Sequence, residues 1–217
     1  IEKFLRSIEF PYTIGYGMTE CAPIICYEDW QKFKAGSCGK AVHRMDIKIL
    51  SPDPHNIVGE IVCKGPNVML GYYKNPEETA RVIDKDGWLH TGDLGIIDED
   101  GNLTIKGRSK NLILGPSGQN IYPEEIEDKL NNMPLVSESI IIQQRDGRLA
   151  ALVYPDFDEA NVQGLKDENI VEVMETNRVA LNEELPVYSQ ITRVKIYHEE
   201  FEKTPKKSIK RFLYQEL

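Results

Sequence analysis

The segment Tyr16–Glu20 places the hydroxyl of Thr19 directly before the carboxylate of Glu20. A hydroxyl beside a carboxylate can bind a phosphate oxygen and a hard cation such as Mg²⁺ together. The preceding apolar run, residues 12–14, predicts a buried strand that opens into a loop here, and loops at strand ends often carry ligand chemistry. The alternative is a capped turn without a ligand, which for this segment alone is the commoner outcome.

A second segment, Trp88–Leu94, contains a glycine and an acid between two apolar stretches. Asp93 follows Gly92 directly, and a carboxylate placed after a tight turn can accept both hydroxyls of a ribose. Taken alone, this string too is more often a turn than a site.

The third segment, residues 107–127, is the most informative part of the sequence. Its glycines allow a ligand to approach the backbone closely, and the guanidinium of Arg108 suits ribose or phosphate oxygens. The alternative is a strand, a glycine-rich connection and a helix that begins at Pro123 with acids in its first turn. That alternative explains the helix but not the whole string.

The elements that must position these side chains fall into two groups. Residues 1–109 predict short strands, turns and one short helix capped by Asn75, which together form a small β-rich subdomain. Residues 110–217 alternate strand and helix patterns, which predicts a compact α+β domain and a mixed α/β class for the chain. The polar segment 107–110 between them suits a linker or a hinge. In chain order, the predicted elements are an amphipathic helix at 1–8, strands at 46–50 and 59–63, the helix after Asn75, a hairpin around 100–102, a strand at 111–114, a helix at 123–131, strands near 139–143 and 149–154, a long helix at 167–184 and a strand at 193–198.

The composition narrows the function classes. The chain has 217 residues, with 26 basic and 35 acidic side chains and a net charge of −9, which argues against general nucleic-acid binding. No apolar stretch is long enough to cross a bilayer and no secretory signal opens the sequence, so we expect a cytoplasmic protein. The cysteines show no CxxC pair and no Cys/His spacing, which favours reduced thiols over a metal site or a disulfide framework. They are Cys21, Cys26, Cys38 and Cys63.

In their order and separation, these strings resemble the acyl-adenylate-forming superfamily, which includes AMP-forming acyl-CoA synthetases, adenylation domains of peptide synthetases and luciferases. The resemblance is carried by YGMTE at 16–20, GSCGK at 36–40, GEIVCKGPNVMLGYYKNPEET at 59–79, GWLHTGDLG at 87–95, GRSKNLIL at 107–114 and GQNIYPEEIE at 118–127. Residues 185–188, which lead to 193–196, look most like the long-chain fatty-acid CoA ligase branch. The resemblance implies that residues 1–109 end a large N-terminal domain and that residues 110–217 form a small mobile C-terminal domain.

The resemblance also implies a reaction, its co-substrates and a role for each matching residue. A carboxylate would attack the α-phosphate of ATP to give acyl-AMP and pyrophosphate, and the thiol of coenzyme A would then displace AMP to give the thioester. By the same resemblance, Thr19 would contact the α-phosphate and Glu20 would help to hold Mg²⁺. Tyr16 and Gly17 would line the adenine pocket, and Asp93 would bind the ribose hydroxyls with the assistance of Arg108. Lys110 would be the hinge between the half-reactions, and Gly118 would lie in the loop that meets the pantetheine arm of CoA.

Two departures accompany the resemblance. The family's glycine- and serine-rich phosphate loop and most of its acyl pocket do not occur in these residues, so we expect the chain alone to bind AMP or ATP weakly and to form no acyl-CoA. In the basic tail, Ser208 stands where the family has its catalytic lysine, and we predict that Lys207, with Lys206 as the second choice, supplies that cation. The alternative is that Ser208 caps a final helix and that the lysines are a solvated face.

Other functions stay open at this point. One is the same adenylation chemistry on another acid, or transfer to a carrier-protein thiol in place of CoA. Another is a noncatalytic nucleotide-binding module in which Thr19, Glu20 and Asp93 are turn residues only. The expected partners are small molecules, namely a fatty acid, ATP and CoA, and peripheral membrane contact through a preceding part of the protein is left open.

Overall fold

The computed structural model describes residues 2–205 and 207–214. The chain divides into two compact units, Ile1–Lys110 and Asn111–Leu217. Both contain helices and sheets, so the predicted mixed α/β class is confirmed. Among the described residues, no helix combines the length and the apolar character needed to cross a bilayer.

The first unit contains two small antiparallel sheets and two short helices. One sheet has three strands in the order β1-β2-β3, and the other is a four-stranded meander in the order β4-β5-β6-β7. The elements are α1 Glu2–Ser7, β1 Tyr16–Gly17, β2 Ile24–Tyr27, β3 Lys40–Ala41, β4 Asp46–Leu50, β5 Gly59–Lys64, α2 Pro76–Val82, β6 Leu89–Ile97 and β7 Leu103–Arg108.

Alternation along β6 connects the core of the first unit to its polar residues. Every second side chain of this strand is buried, beginning with Leu89 and continuing through Thr91 and Asp93, as expected for a strand with one inward face. Leu89 packs in a core with Ile61 and Leu103, which are fully buried. The inward face of β6 therefore changes from apolar to polar along its length.

Local signals account for α2, one of the two helices of the first unit. In α2, the side chain of Asn75 accepts a hydrogen bond from the N–H of Glu78 and Pro76 stands at the first turn, as predicted. The predicted N-terminal helix also forms, but none of its residues is buried, and the Phe4 side chain is exposed.

The predicted buried strand at residues 12–14 is wrong. The pairing with β2 begins only at Tyr16, and Ile14 is exposed. In this segment, Thr13 instead donates its hydroxyl to the carbonyl of Glu28. An apolar run needs a pairing partner to become a strand, and among the described residues no strand pairs with 12–14.

The second unit is built on a three-stranded sheet in the order β10-β11-β12. Strands β10 and β11 are antiparallel, whereas β11 and β12 are parallel. The elements are β8 Ile113–Leu114, β9 Asn120–Ile121, α3 Pro123–Leu130, β10 Val136–Gln143, β11 Leu149–Pro155, α4 Phe157–Val162, α5 Asp167–Glu184 and β12 Ile191–Ile196.

Both faces of this sheet are covered. On one face, Ile141 and Ala151 pack in a core that includes Ile126 of α3 and Met174 of α5. On the opposite face, Ile140 and neighbouring strand residues pack against a cluster formed by the chain after β12. Burial on both faces explains why β11 reads as a nearly continuous apolar run, and why β10 carries three consecutive isoleucines at 140–142, rather than alternating patterns.

Three local predictions in the second unit differ from the structure. The predicted strand at 111–114 contains only the two residues Ile113–Leu114, because a 3₁₀ turn occupies Ser109–Asn111. Helix α4 was not predicted, although Asp156 caps it by accepting the N–H of Glu159. In the described part of the tail, the final helix of the alternative reading is replaced by a single 3₁₀ turn, Arg211–Leu213.

Candidate nucleotide-binding site

Two of the predicted nucleotide-binding residues, Tyr16 and Arg108, contact the carboxylate of a third, Asp93. The Tyr16 hydroxyl donates to Asp93 Oδ2 at 2.6 Å, across 77 residues of sequence. The Arg108 Nε lies 2.8 Å from Asp93 Oδ1. Asp93 is 6% exposed, whereas the side chain of Arg108 is 58% exposed. The cluster therefore combines a buried acid with a cation at the surface.

A β-bulge, rather than the predicted tight turn, positions Asp93. Glu60 pairs with Leu94 while Val62 pairs with His90, so β6 carries extra residues at this point. Gly92 lies within the bulge with a φ of 71°, a conformation that favours glycine. The bulge turns the Asp93 carboxylate towards Tyr16 and Arg108.

Two further residues hold the bulge in place. The carboxylate of Glu60 accepts the N–H of Gly92 at 3.1 Å and lies 2.9 Å from Nδ1 of His90. The hydroxyl of Thr91 donates to the carbonyl of Ile61 at 2.7 Å and accepts the N–H of Asp93 at 3.1 Å. Sequence reasoning did not single out either residue. Glu60 could have been identified from the sequence, because it is a charged residue at the start of an otherwise apolar strand.

The register of the meander explains the contact with Arg108. Arg108 is the last residue of β7 and lies directly opposite Asp93 of β6. Directly opposed residues of opposite charge interact favourably across antiparallel strands. The ion pair between Arg108 and Asp93 therefore follows from strand pairing. Because Arg108 lies at the end of its strand, its guanidinium is open to a ligand.

The Tyr16 phenol is a fixed hydrogen-bond donor. Burial, followed by the hydrogen bond to Asp93, raises the pKa of Tyr16 well above the ordinary value of a tyrosine. Both effects oppose a second negative charge beside the carboxylate. Tyr16 therefore stays protonated and keeps one oxygen of Asp93 occupied.

Thr19 and Glu20 lie in a 3₁₀ turn, Thr19–Cys21, that follows β1. The side chain of Thr19 is exposed and forms no hydrogen bond with any described residue. The carboxylate of Glu20 accepts the hydroxyl of Tyr72 at 3.0 Å through Oε1, and its backbone carbonyl accepts the N–H of Met69. Both side chains are thus held at a surface where a ligand could reach them.

The donor set at this turn fits Mg²⁺ that arrives with a nucleotide. Within the described part of the chain, no group of three or more His, Cys, Asp and Glu side chains is arranged to hold a metal. Mg²⁺ is usually bound by one or two carboxylates together with phosphate oxygens and water. A single carboxylate, that of Glu20, is therefore sufficient for this purpose.

Gly17 is required by packing. A Cβ atom at this position would lie 2.0 Å from the carbonyl oxygen of Pro23, so a larger residue would displace the loop that carries Thr19. The close approach gives a structural reason for glycine here. Its position in an adenine pocket stays a prediction.

Lys110 and Gly118 occupy the positions expected of a connection and a loop. Lys110 is exposed, lies in the turn Ser109–Asn111 and is the last residue of the first unit. Gly118 has a φ of 83° and closes the turn between β8 and β9 with its N–H bonded to Gly115. A Cβ atom at Gly118 would meet no other atom within 4 Å, and the residue is exposed. Their hinge and CoA-binding roles stay predictions.

The basic tail forms a hairpin in the described residues 203–205 and 207–211, which we call the basic hairpin. Lys203 and Ile209 form an antiparallel bridge, and Thr204 donates its N–H to the carbonyl of Ser208. Lys207 lies at the turn with a φ of 60° and an exposed side chain. Ser208 belongs to the returning arm and does not cap a helix, so that part of the alternative is wrong. The other part, lysines as a solvated face, stays open. Lys206 lies outside the described residues.

Acidic partners neutralise the other described cations of the basic hairpin. Lys203 lies 2.5 Å from Glu138, and Lys210 lies 3.0 Å from Glu202. Arg211 pairs with Glu127. The ion pairs of the described tail residues do not include Lys207. This arrangement agrees with the prediction of Lys207 as an available cation but does not test its role.

Comparison with known proteins places both units in one family. Residues 1–73 match the family described as AMP-binding enzyme, and residues 110–216 match the AMP-binding enzyme C-terminal domain. A 4-coumarate–CoA ligase of Oryza sativa subsp. japonica is 32% identical over 230 aligned positions, covering 100% of this chain and 38% of the relative. A long-chain-fatty-acid–CoA ligase of Salmonella typhimurium is 46% identical over 119 residues, covering 52% of this chain and 21% of the relative.

A solved structure extends the similarity to the fold. The O-succinylbenzoate coenzyme A synthetase of Bacillus subtilis in complex with AMP is 26% identical, with a TM-score of 0.78, and the match covers 99% of this chain and 43% of that chain. The same synthetase has been solved with ATP and a magnesium ion. The chain thus spans less than half the length of these relatives. Both of its units match the family, and the chain belongs to the AMP-binding enzymes.

Proposed function

We propose that the protein carrying this chain is an AMP-forming acid–thiol ligase that activates long-chain fatty acids with ATP and Mg²⁺ and transfers them to coenzyme A in the cytoplasm. The observation that carries the proposal is the convergence of Tyr16 and Arg108 on the buried carboxylate of Asp93. Membership of the AMP-binding enzymes supports the nucleotide as its ligand.

In this proposal, Asp93 accepts the ribose hydroxyls while Tyr16 and Arg108 hold the carboxylate in place. Thr19 donates its free hydroxyl to the α-phosphate, and Glu20 holds Mg²⁺, which offsets phosphate charge. Neither half-reaction requires a covalent enzyme intermediate. The chain therefore contributes positioning and electrostatic stabilisation, which are the principal sources of catalysis at phosphate centres.

The identity of the acid substrate is the more specific part of the proposal. The fatty-acid assignment is supported by residues 185–188 and 193–196, which look like the long-chain branch, and by the 46% identity to the Salmonella typhimurium ligase. The second candidate is the same chemistry on an aromatic acid, which is supported by the match to the 4-coumarate–CoA ligase over the whole chain. A carrier-protein thiol in place of CoA is a variant of either candidate.

A substrate panel decides between these acids. The full-length protein is incubated with ATP, Mg²⁺, CoA and, in turn, a long-chain fatty acid, a short-chain fatty acid, 4-coumarate or O-succinylbenzoate, and pyrophosphate release is followed. We expect the long-chain acid to give a kcat/KM at least about tenfold above the others, the discrimination that an apolar pocket provides. Preference for 4-coumarate would overturn the fatty-acid assignment but would leave the assignment of ligase activity intact. If no acid of the panel causes release of pyrophosphate, both the fatty-acid assignment and the ligase assignment are wrong.

Restriction of the hinge is expected to separate the two half-reactions. Proline at position 110 fixes φ near about −65°, so Lys110→Pro removes the rotation that a change of domain orientation needs. In the full-length protein, we expect one half-reaction to fall about tenfold more than the other, measured as acyl-AMP formation and as thioester formation from supplied acyl-AMP. Lys110→Ala is the matched control, since it removes the charge and keeps the rotation. Equal losses in both half-reactions would count against a hinge at this residue.

A further inference from the structure

The carboxylate of Glu127 joins three elements of the second unit. Glu127 lies on α3 and is 7% exposed. Its Oε1 accepts the N–H of Ile141 at 2.6 Å, and its Oε2 accepts the guanidinium of Arg211. Strand β10, which contains Ile141, is an edge strand of the sheet. One buried side chain thus ties the helix, the sheet edge and the basic hairpin together.

The basic hairpin is held on both of its arms. Lys203, on the outgoing arm, pairs with Glu138 of β10, and Arg211, at the end of the returning arm, pairs with Glu127. The bridge between Lys203 and Ile209 fixes the two arms to each other. Both arms that flank the turn are therefore attached to the rest of the unit, and Lys207 at the turn is exposed.

The Glu127–Arg211 pair is costly to bury. Burial raises the pKa of Glu127 above the usual value of a glutamate, although Arg211 acts in the opposite direction. The ion pair therefore does not offset the full cost of removing this carboxylate from water, which is common for buried pairs. A buried pair of this kind specifies one arrangement of the chain over others.

The remaining charge of the basic hairpin is at its turn. Among the described residues, Lys207 is the cation of the hairpin without a carboxylate partner, whereas Lys203, Lys210 and Arg211 have one. Its positive φ of 60° places the side chain on a tight turn closed by the bond from its N–H to the carbonyl of Thr204. The orientation of Lys207 thus depends on how the two arms are held.

We propose that Glu127 and Arg211 are a positioning pair that orients the basic hairpin and, through it, Lys207 for the adenylation half-reaction. This role rests on the proposed function. Neither residue contacts substrate, and both act through Lys207. Fixed placement of a charge is worth a large factor in rate, since a displacement of about 1 Å can cost about 10²-fold.

Hydrogen exchange of this chain tests the positioning itself. In Glu127→Gln, the guanidinium of Arg211 loses its charged partner, and we expect the amides of Thr204 and Lys207 to exchange at least about tenfold faster than in the unmodified chain. The amide of Leu152, in the central strand β11, should not change, which reports that the unit remains folded. Arg211→Gln is the second variant and should give the same result. Lys210→Gln, which breaks an exposed pair with Glu202, is the matched control.

The half-reactions of the full-length protein test the consequence. We expect Glu127→Gln and Arg211→Gln to lower kcat for acyl-AMP formation about tenfold, with KM for ATP and thioester formation from supplied acyl-AMP unchanged. Unchanged exchange at Thr204 and Lys207 would overturn the pair as an anchor. If Lys207→Ala impairs adenylation but Glu127→Gln and Arg211→Gln show faster exchange with normal adenylation, the positioning role is wrong. Normal adenylation in Lys207→Ala would instead refute Lys207 as the catalytic cation, and hydrogen exchange alone would then decide whether the pair is an anchor.

Discussion

Replacing Asp93 by alanine in the full-length protein is expected to weaken nucleotide binding by about 10²-fold or more and to lower both half-reactions. Hydrogen bonds to a charged group contribute about 1.5–3 kcal/mol each, and two ribose hydroxyls would be lost together. Both half-reactions should fall because the ribose of ATP and the ribose of acyl-AMP would use the same carboxylate. The measurements are the dissociation constant for ATP and the rates of the two half-reactions.

Two controls separate loss of the ligand contact from loss of the fold. Asp93→Asn keeps the size of the side chain and an acceptor for the Tyr16 hydroxyl but removes the charge that pairs with Arg108. Asp100→Ala removes an acid from an exposed turn of the same unit. We expect intermediate loss for the first control and none for the second. Normal ATP affinity in a folded Asp93→Ala protein would refute the ribose-binding role.

Replacing Lys207 by alanine is expected to suppress acyl-AMP formation by about 10²-fold while leaving thioester formation from supplied acyl-AMP unchanged. The magnitude is that of losing one preorganised charge-stabilising group at a reacting centre. The effect should be confined to adenylation, because the cation would offset charge on the departing pyrophosphate only. Both half-reactions are measured on the full-length protein.

The neighbouring lysines provide the comparison for this experiment. Lys206→Ala tests the second predicted cation, and Lys210→Ala removes a charge that is already paired with Glu202. We expect Lys210→Ala to have normal adenylation. If Lys207→Ala and Lys206→Ala both adenylate at the normal rate, the tail is not catalytic and the cation comes from another part of the protein.

Elements with strong local signals were predictable from the sequence. The bounds of α5, Asp167–Glu184, match the predicted helix, and α2 begins at Pro76 after Asn75 as predicted. Caps and helical periodicity are encoded within a few residues, so they require no knowledge of the rest of the fold. The two units were predicted from the change of pattern near residue 110, and the structure divides the chain between Lys110 and Asn111.

Features that depend on distant residues were not predictable in the same way. The bulge at Gly92 exists because β6 must pair with β5 and β7 at once, and no local signal specifies that register. The contact of Tyr16 with Asp93 depends on the placement of two sheets. The residues of the candidate site could be named through the resemblance, but their mutual geometry could not.

The tail shows the limit of local reasoning most clearly. Ser208, followed by apolar residues, has the pattern of a helix cap, yet it lies in a hairpin because carboxylates elsewhere in the second unit hold both arms. Glu127 and Glu138, on α3 and β10, are far from the tail in sequence. The contacts that hold this segment, which include the packing of Ile209 on the sheet, therefore join residues far apart in sequence and are not visible to local reasoning.

The central claim is adenylation of a carboxylic acid at the site built around Asp93. The most direct measurement is the acid-dependent exchange of labelled pyrophosphate into ATP by the full-length protein without CoA, followed by addition of CoA and identification of the products. We predict exchange that requires a long-chain fatty acid and Mg²⁺, is lost in Asp93→Ala, and is followed on addition of CoA by equal amounts of AMP and thioester. Release of ADP and phosphate in place of AMP and pyrophosphate, or no exchange with any carboxylic acid, would contradict the claim.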